Sequence, residues 1–391
     1  MSRITIGCRT LVGIALLALV AAITLLGVPT AQSADCTIEA KTPTTTTITF
    51  DNRSSGAVTL NWRNDQCEEV AYETVQPGLK VTLQTYASHV WHVRSVTTQW
   101  LLREVKADTA PKTVPIGDLT APLSRAMEDR DDDVSGHQVH ILYVLPNDGN
   151  DRKLDTNGAI VRSVAAMQFW FAQQTAGRRM RLDTRDGALD ITFVKLARSG
   201  ADLRGHRLRI RDEIEWELRS LGFTKANKLY AVFYDGDAVE CGGGPAPPDL
   251  PGNVGALYLL GTPAGATPCG ENALAKSVVQ PDYWEFSLIH EILHVLGLVA
   301  RCAPHHTPPT EHTAEGHVSD SPQDLMYAGK ANWRPSILDV GRNDYFEHGN
   351  PDCADLARSI FLDPLPAGAV PPPKWGEFPD ASGALAPKSR R

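Results

Sequence analysis

The stretch Trp284-Glu285-Phe286-Ser287-Leu288-Ile289-His290-Glu291-Ile292-Leu293-His294-Val295-Leu296-Gly297 decides how the second half of this chain is read. Apolar residues recur at helical spacing and Gly297 supplies a stop, so Trp284 to Leu298 reads as one core helix. Inside it, His290-Glu291-Ile292-Leu293-His294 has the pattern H-E-x-x-H. Spacing of i to i+4 puts both imidazoles on one helix face, one turn apart, where they can share one Zn2+ ion. Glu291 lies beside that face, placed to take a proton from metal-bound water. The five-residue pattern alone arises too often by chance to settle the matter, and context raises it. An apolar helix that turns two histidines and a glutamate inward needs a reason, because unpaired buried polar groups are costly. Half of the twelve histidines lie between His290 and His317.

Working outward, His137 to Leu145 reads as a buried strand and Ala159 to Thr175 as an amphipathic helix with Ile160, Val164, Met167 and Phe171 on one face. Ala188 to Leu196 reads as a strand, Leu208 to Leu221 as a helix, Lys228 to Tyr234 as a strand, and Val254 to Leu260 as a further strand. Residues 137–365 are therefore expected to form a mixed α/β domain (α+β in its details). Upstream the period changes to two. Thr47 to Phe50, Ala57 to Trp62, Lys80 to Leu83 and His89 to Val93 alternate as strands do, with turn signals at Asp51 to Gly56 and Gln76-Pro77-Gly78. Residues 36–106 fit a small all-β sandwich. Between the two, residues 107–136 read as a linker, with Pro111, Pro115 and Pro122 and a solvated acidic run from Glu128 to Asp133. Residues 366–391, rich in proline, read as a loose tail.

The N-terminus has its own logic. Arg3 and Arg9 precede an uncharged apolar run from Leu11 to Val28, and Ala31 and Ser33 suit cleavage after Ser33. Residues 1–33 are expected to be a cleaved signal peptide, so no stable membrane anchor is expected and the protein reads as secreted. Without them 36 basic residues face 46 acidic ones, a net charge of −10 with no general basic surface for nucleic acid. Cys8 would leave with the signal, and six cysteines remain: Cys36, Cys67, Cys241, Cys269, Cys302 and Cys353. Export makes them disulfide candidates. Of fifteen connectivities, pairing 36–67, 241–269 and 302–353 keeps each bridge inside one domain. None has zinc-ligand spacing, which excludes a thiolate metal site.

His290-Glu291-x-x-His294-x-x-Gly297 resembles the metzincin metalloproteases, whose glycine lets the chain turn sharply after the helix. That family places a third ligand ten residues after the first histidine, which here is Ala300. The resemblance therefore implies a ligand displaced by an inserted loop: His317 first, His305 and His306 as alternates, His312 last, unless the site is incomplete or uses Asp320. Asp324-Leu325-Met326-Tyr327-Ala328 resembles the Met-turn in its matrixin version, which implies that Met326, beside Tyr327, packs beneath the metal. The resemblance also implies an edge strand that pairs with extended substrate, a role open to Val254 to Leu260.

Phe50-Asp51-Asn52-Arg53-Ser54, Trp62, Tyr72, Pro77-Gly78 and Thr85 to Trp91 are similar to the β-domain of the von Hippel-Lindau (VHL) tumour suppressor. That similarity implies a hydroxyproline-binding pocket at Tyr72, Thr85, His89 and Trp91. The chemistry fits, since aromatic walls suit a proline ring and His with Thr can bond a hydroxyl; the competing reading makes Trp62, Trp91 and Tyr86 sandwich core. Together the two resemblances lead to the expectation of a secreted zinc endopeptidase with Glu291 as general base. It would act on protein or peptide substrates, with proline-rich or hydroxyproline-containing segments held by the β-domain. The alternative is an inactive zinc-containing protein-binding or adhesion module that works through the β-domain.

Overall fold

The computed structural model describes residues 44–117, 123–246, 251–308, 315–373 and 375, all within one contiguous unit, Ser33–Arg391. The expected signal segment 1–33 and Cys36 lie outside the described residues. No helix among those described is long and apolar enough to cross a membrane.

The N-terminal part has seven strands: β1 (Thr45–Asn52), β2 (Val58–Arg63), β3 (Glu69–Val75), β4 (Lys80–Tyr86), β5 (Val90–Ser95), β6 (Leu101–Lys106) and β7 (Lys112–Ile116). They form two facing sheets, ordered β4-β1-β7 and β3-β2-β5-β6. Alternate residues point inward, so Ile48, Phe50, Leu60, Trp91, Val93 and Val114 make the core between the sheets. β7 falls inside the expected linker and runs parallel to β1. Its Pro115 hid it in the sequence, yet β7 is an edge strand, where a missing N–H leaves no ladder bond unmade. β3 also escaped the sequence reading, because five consecutive residues from Val70 to Thr74 are exposed and nothing alternates.

The second part begins with β8 (Gln138–Leu145), α1 (Ala159–Gln174), β9 (Arg179–Met180), β10 (Thr184–Arg185), β11 (Ala188–Leu189) and β12 (Ile191–Lys195). It continues with α2 (Gly200–Gly205), α3 (Ile210–Ser220), β13 (Lys228–Tyr234), β14 (Gly242–Gly243), β15 (Val254–Tyr258), α4 (Tyr283–Val295) and β16 (Leu362–Asp363). The main sheet has the order β12-β8-β13-β15-β14, parallel except for β14. Both faces are covered, which is why β8 and β13 are mainly apolar and every residue in them is buried, including Gln138, His140 and Lys228. Val139, Ile141, Leu229, Ala231 and Phe233 face α1 and α4, whereas Leu142, Val144, Tyr230, Val232 and Tyr234 face α2 and α3. One expectation is corrected here: Val254 to Leu260 is not the edge. The short antiparallel β14 covers β15, and the edge passes to the glycines of β14.

Two further expectations are revised. The acidic run is not simply solvated. The Lys228 ammonium, fully buried on the central strand, contacts Asp129 at 2.6 Å and Asp132 at 2.7 Å, and also Asp183. A charge covered on both faces requires such partners. Asp133 likewise meets Arg103 at 2.7 Å. Nor is the start of the proline-rich segment loose. Val370 exchanges backbone hydrogen bonds with Arg358 and Ile360, and the Trp375 indole packs on Phe361 and donates to Ala226 O.

A buried ion network joins the two parts. Arg94 on β5 forks to Glu69 on β3 at 2.6 Å and to Asp363 on β16 at 2.6 Å. His92 sits between Glu69 at 2.7 Å and Glu104 at 2.9 Å. Burial would raise both glutamates, but hydrogen bonds from Arg94 and His92 to Glu69, and from His92 and Ser135 to Glu104, bring each down to about 2. Depressed carboxylates contribute stability above their ordinary value of 4.5, and that contribution is lost as the pH falls towards 2. Arg94→Ala should cost about 3–5 kcal/mol in urea unfolding, because it strands two carboxylates against buried surface. The wild type should lose its advantage over this variant as the pH falls from 4.5 to 2.

Candidate metal centre

Helix α4 is fixed at both ends. At its start Asp282 and Glu285 form a capping box: Asp282 Oδ1 accepts the Tyr283 N–H at 2.8 Å, and Glu285 Oε2 accepts the Asp282 N–H at 2.9 Å. Glu285 is fully buried and also accepts from Ala275 N and Ser163 Oγ. At its end Leu298 N donates to Leu293 O and Gly297 N to His294 O, a Schellman pair that requires the left-handed φ of 75° at Gly297. The helix is thus held in register against the sheet.

On its inner face, His294 Nε2 lies 3.1 Å from His290 Nε2, which lies 3.2 Å from His317 Nε2. These three are one of three clusters among the described residues whose possible ligand atoms all lie within 4.8 Å of one another, and the one made of histidines alone. His290 donates its Nδ1–H to Leu325 O at 2.8 Å, so its Nε2 lone pair faces the other two rings. Trp333 Nε1 donates to the same carbonyl at 3.1 Å and its ring packs on His290. Burial drives His290 down to about 3 and His294 well below its ordinary value, with each also disfavoured by the His317 charge. Both rings are therefore neutral and able to ligate.

His317 arrives through a loop that starts after Gly297. Thr307 N donates to His317 O at 2.7 Å, and Ser319 N to His305 O at 3.1 Å, forming a short antiparallel ladder. On the other side Val318 N donates to Met326 O and Val318 O accepts from Ala328 N, both at 3.0 Å. His317 is thereby strung between the inserted loop and the Met326 turn. A Cβ at Gly316, whose φ is +89°, would lie 2.9 Å from His294 Nδ1. Only glycine lets the loop pass there. The Cys302–Cys353 disulfide ties the beginning of the loop to the body of the protein.

The turn at Met326 is built on Asp324. Its buried carboxylate accepts from Met326 N, Val340 N and Tyr345 Oη, each at 2.8 Å. Burial, only partly offset by those bonds, pushes it up to about 7. Met326 is fully buried, while the Tyr327 hydroxyl accepts from Ala331 N at 3.1 Å.

Glu291 is buried, and burial pushes its carboxyl up to about 8 against the pull of Arg211. The glycines of the sheet edge make room for it. A Cβ at Gly242 would lie 2.3 Å from Glu291 Oε1, one at Gly244 2.4 Å from His294 Cβ, and one at Gly255 2.9 Å from Glu291 O. The edge strand therefore lies bare against the face of α4 that carries Glu291 and His294. The Cys241–Cys269 disulfide anchors the edge.

The alternates fall elsewhere. His305 Nδ1 pairs with the buried Asp344 at 2.9 Å, which raises its pKa, and His305 also lies near Asp320. Neither Asp320 nor His306 joins the three-histidine group, and the ring of His306 borders a cavity on the outer side of His294. His312 lies outside the described residues. In the β-domain the four expected residues do meet. Tyr72, 62% exposed, packs edge-on against Trp91 at 5.3 Å; Trp91 Nε1 donates to Thr85 Oγ1 at 3.0 Å; Thr85 Oγ1 lies 3.3 Å from His89 Nδ1. Burial lowers the His89 pKa. Trp62 belongs with them, its ring 5.2 Å from His89 and its Nε1 buried without a partner among the described residues.

Residues 38–108 match the family model of the VHL beta domain. The VHL-like domain thus covers β1 to β6, and β7 extends its first sheet beyond the match. No curated protein matches the chain. Asp324→Ala should leave two backbone N–H groups and the Tyr345 hydroxyl unpaired, lowering unfolding free energy by about 2–4 kcal/mol in a denaturant titration.

Proposed function

We propose that this chain is a secreted zinc-dependent endopeptidase of metzincin type whose VHL-like domain holds peptide. The observation that carries the reading is the convergence of His290, His294 and His317 Nε2 beside Glu291. The two buried, neutral imidazoles of His290 and His294, with His317 beside them, suit a zinc ion that would keep a fourth position for water or substrate. Zinc bound there would polarise a peptide carbonyl and acidify the water beside it.

The protein supplies the rest. Leu325 O holds the His290 tautomer, and Trp333 holds Leu325 O. Glu291, as its carboxylate, takes the proton of the attacking water and returns it to the leaving amine. The unsubstituted backbone of Gly242 and Gly243 gives an extended substrate an edge to pair with, close above Glu291. At the VHL-like domain, Tyr72 and Trp91 would wall a proline ring while Thr85 and His89 meet a hydroxyl, favouring proline-rich or hydroxyproline-containing substrates. Two disulfides among the described residues support export, which makes the N-terminal segment the expected signal.

Glu291→Ala should retain zinc and lose peptide cleavage by at least 100-fold, measured on gelatin and casein beside metal analysis. His317→Ala should lose zinc, as should treatment of the wild type with chelator. Full activity of Glu291→Ala would sink the mechanism.

A further inference from the structure

The seam between the VHL-like domain and the α/β part holds more positive charge than its carboxylates balance. Arg179 and Arg181 flank the buried Met180 on β9 and its continuation, so their side chains leave the backbone on the same side. Neither forms an ion pair among the described residues. Arg179 spends one N–H on Gly177 O and Arg181 one on Ser135 O, both at 2.9 Å, while the Nε of each is buried without a partner among the described residues. Both line one cavity of about 10 Å3, bordered by Trp100 and Leu101 of the VHL-like domain and by Asp363 of β16. Asp363 is committed elsewhere, because Arg94 takes both its oxygens, at 2.6 and 2.9 Å. Burial pulls both guanidiniums below the ordinary arginine value; Asp363 offsets this only in part, and the charge of Arg94 adds to the fall. Arg63, Arg94, Arg179 and Arg181 thus share the seam with Glu69, Glu104 and Asp363. That is four cations against three anions, before His92 between its two glutamates is counted.

We propose that Arg179 and Arg181 hold one small monovalent anion in this cavity, a halide such as chloride. Size and charge select it. A cavity of that volume takes one water-sized body, which excludes phosphate, sulfate and organic acids. A water could accept from both Nε–H groups, yet it would leave the surplus positive charge desolvated, at a cost that a halide removes. Bound there, the anion would bridge β9 to the wall at Trp100 and Leu101 and strengthen the joint that the Arg94 network makes. The inference is independent of the endopeptidase reading.

The test uses the full chain. At constant ionic strength, exchanging gluconate, too large to enter, for chloride should raise the thermal unfolding midpoint by about 2–4 °C, with saturation. Bromide should substitute, and crystals grown with it should show its anomalous peak within hydrogen-bond reach of the Arg179 and Arg181 Nε atoms. Arg181→Gln removes the surplus charge and should abolish the difference between the two salts. Should that variant not fold, the bromide peak in the wild type decides. Identical midpoints in gluconate and chloride, a water in place of the bromide peak, or a chloride effect that Arg181→Gln leaves intact would overturn the proposal.

Discussion

Three imidazole nitrogens sit 3.1 and 3.2 Å apart in a desolvated place, and the rest of the structure depends on how that is allowed. Because His290 spends its N–H on Leu325 O, its Nε2 can offer only a lone pair to the others. Converging lone pairs repel unless a proton or metal ion lies among them, and burial disfavours the proton. On the proposed reading a zinc ion among the three nitrogens meets those lone pairs. Each support around it holds one of the three histidines still: the capped helix, the glycine that admits the loop, and the Asp324 turn whose next residue orients His290.

The sheet explains why the helix can carry such a load. With α1 and α4 on one face and α2 and α3 on the other, the strands are buried throughout, and α4 packs against β15 along its length. β14 then closes the edge with residues that have no side chains. Any larger residue at 242 or 244 would strike Glu291 or His294. The same absence leaves the edge backbone close to Glu291 and His294. The VHL-like domain is joined to this body through the buried Arg94 network, so it is a fixed face of the molecule and not a tethered module.

Much of this was legible in residue spacing. The α4 helix and its two histidines followed from period and motif, and β8 and β13 from apolar runs of strand length. His317 could be named only as the favoured ligand, since its position depends on a loop bridged to both Thr307 and Met326, contacts that no local pattern encodes. The linker was misread because proline in β7 and acids before β8 look like solvated chain until their partners, β1 and Lys228, are known. The edge was misplaced for the opposite reason: β15 has strand propensity, whereas a pair of glycines has none and is a strand only through pairing with β15. Trp333 carries no motif and becomes visible only through its contacts with Leu325 O and His290.

The central claim is that His290, His294 and His317 hold one zinc ion. X-ray absorption at the zinc edge on the purified full chain tests it most directly. The account predicts one zinc per chain with three imidazole nitrogens at about 2.0–2.1 Å and one lighter exchangeable ligand. It also predicts that His317→Ala reduces the imidazole count by one or empties the site. A spectrum with two imidazoles that His317→Ala leaves unchanged, or a chain that takes up no zinc, would contradict it.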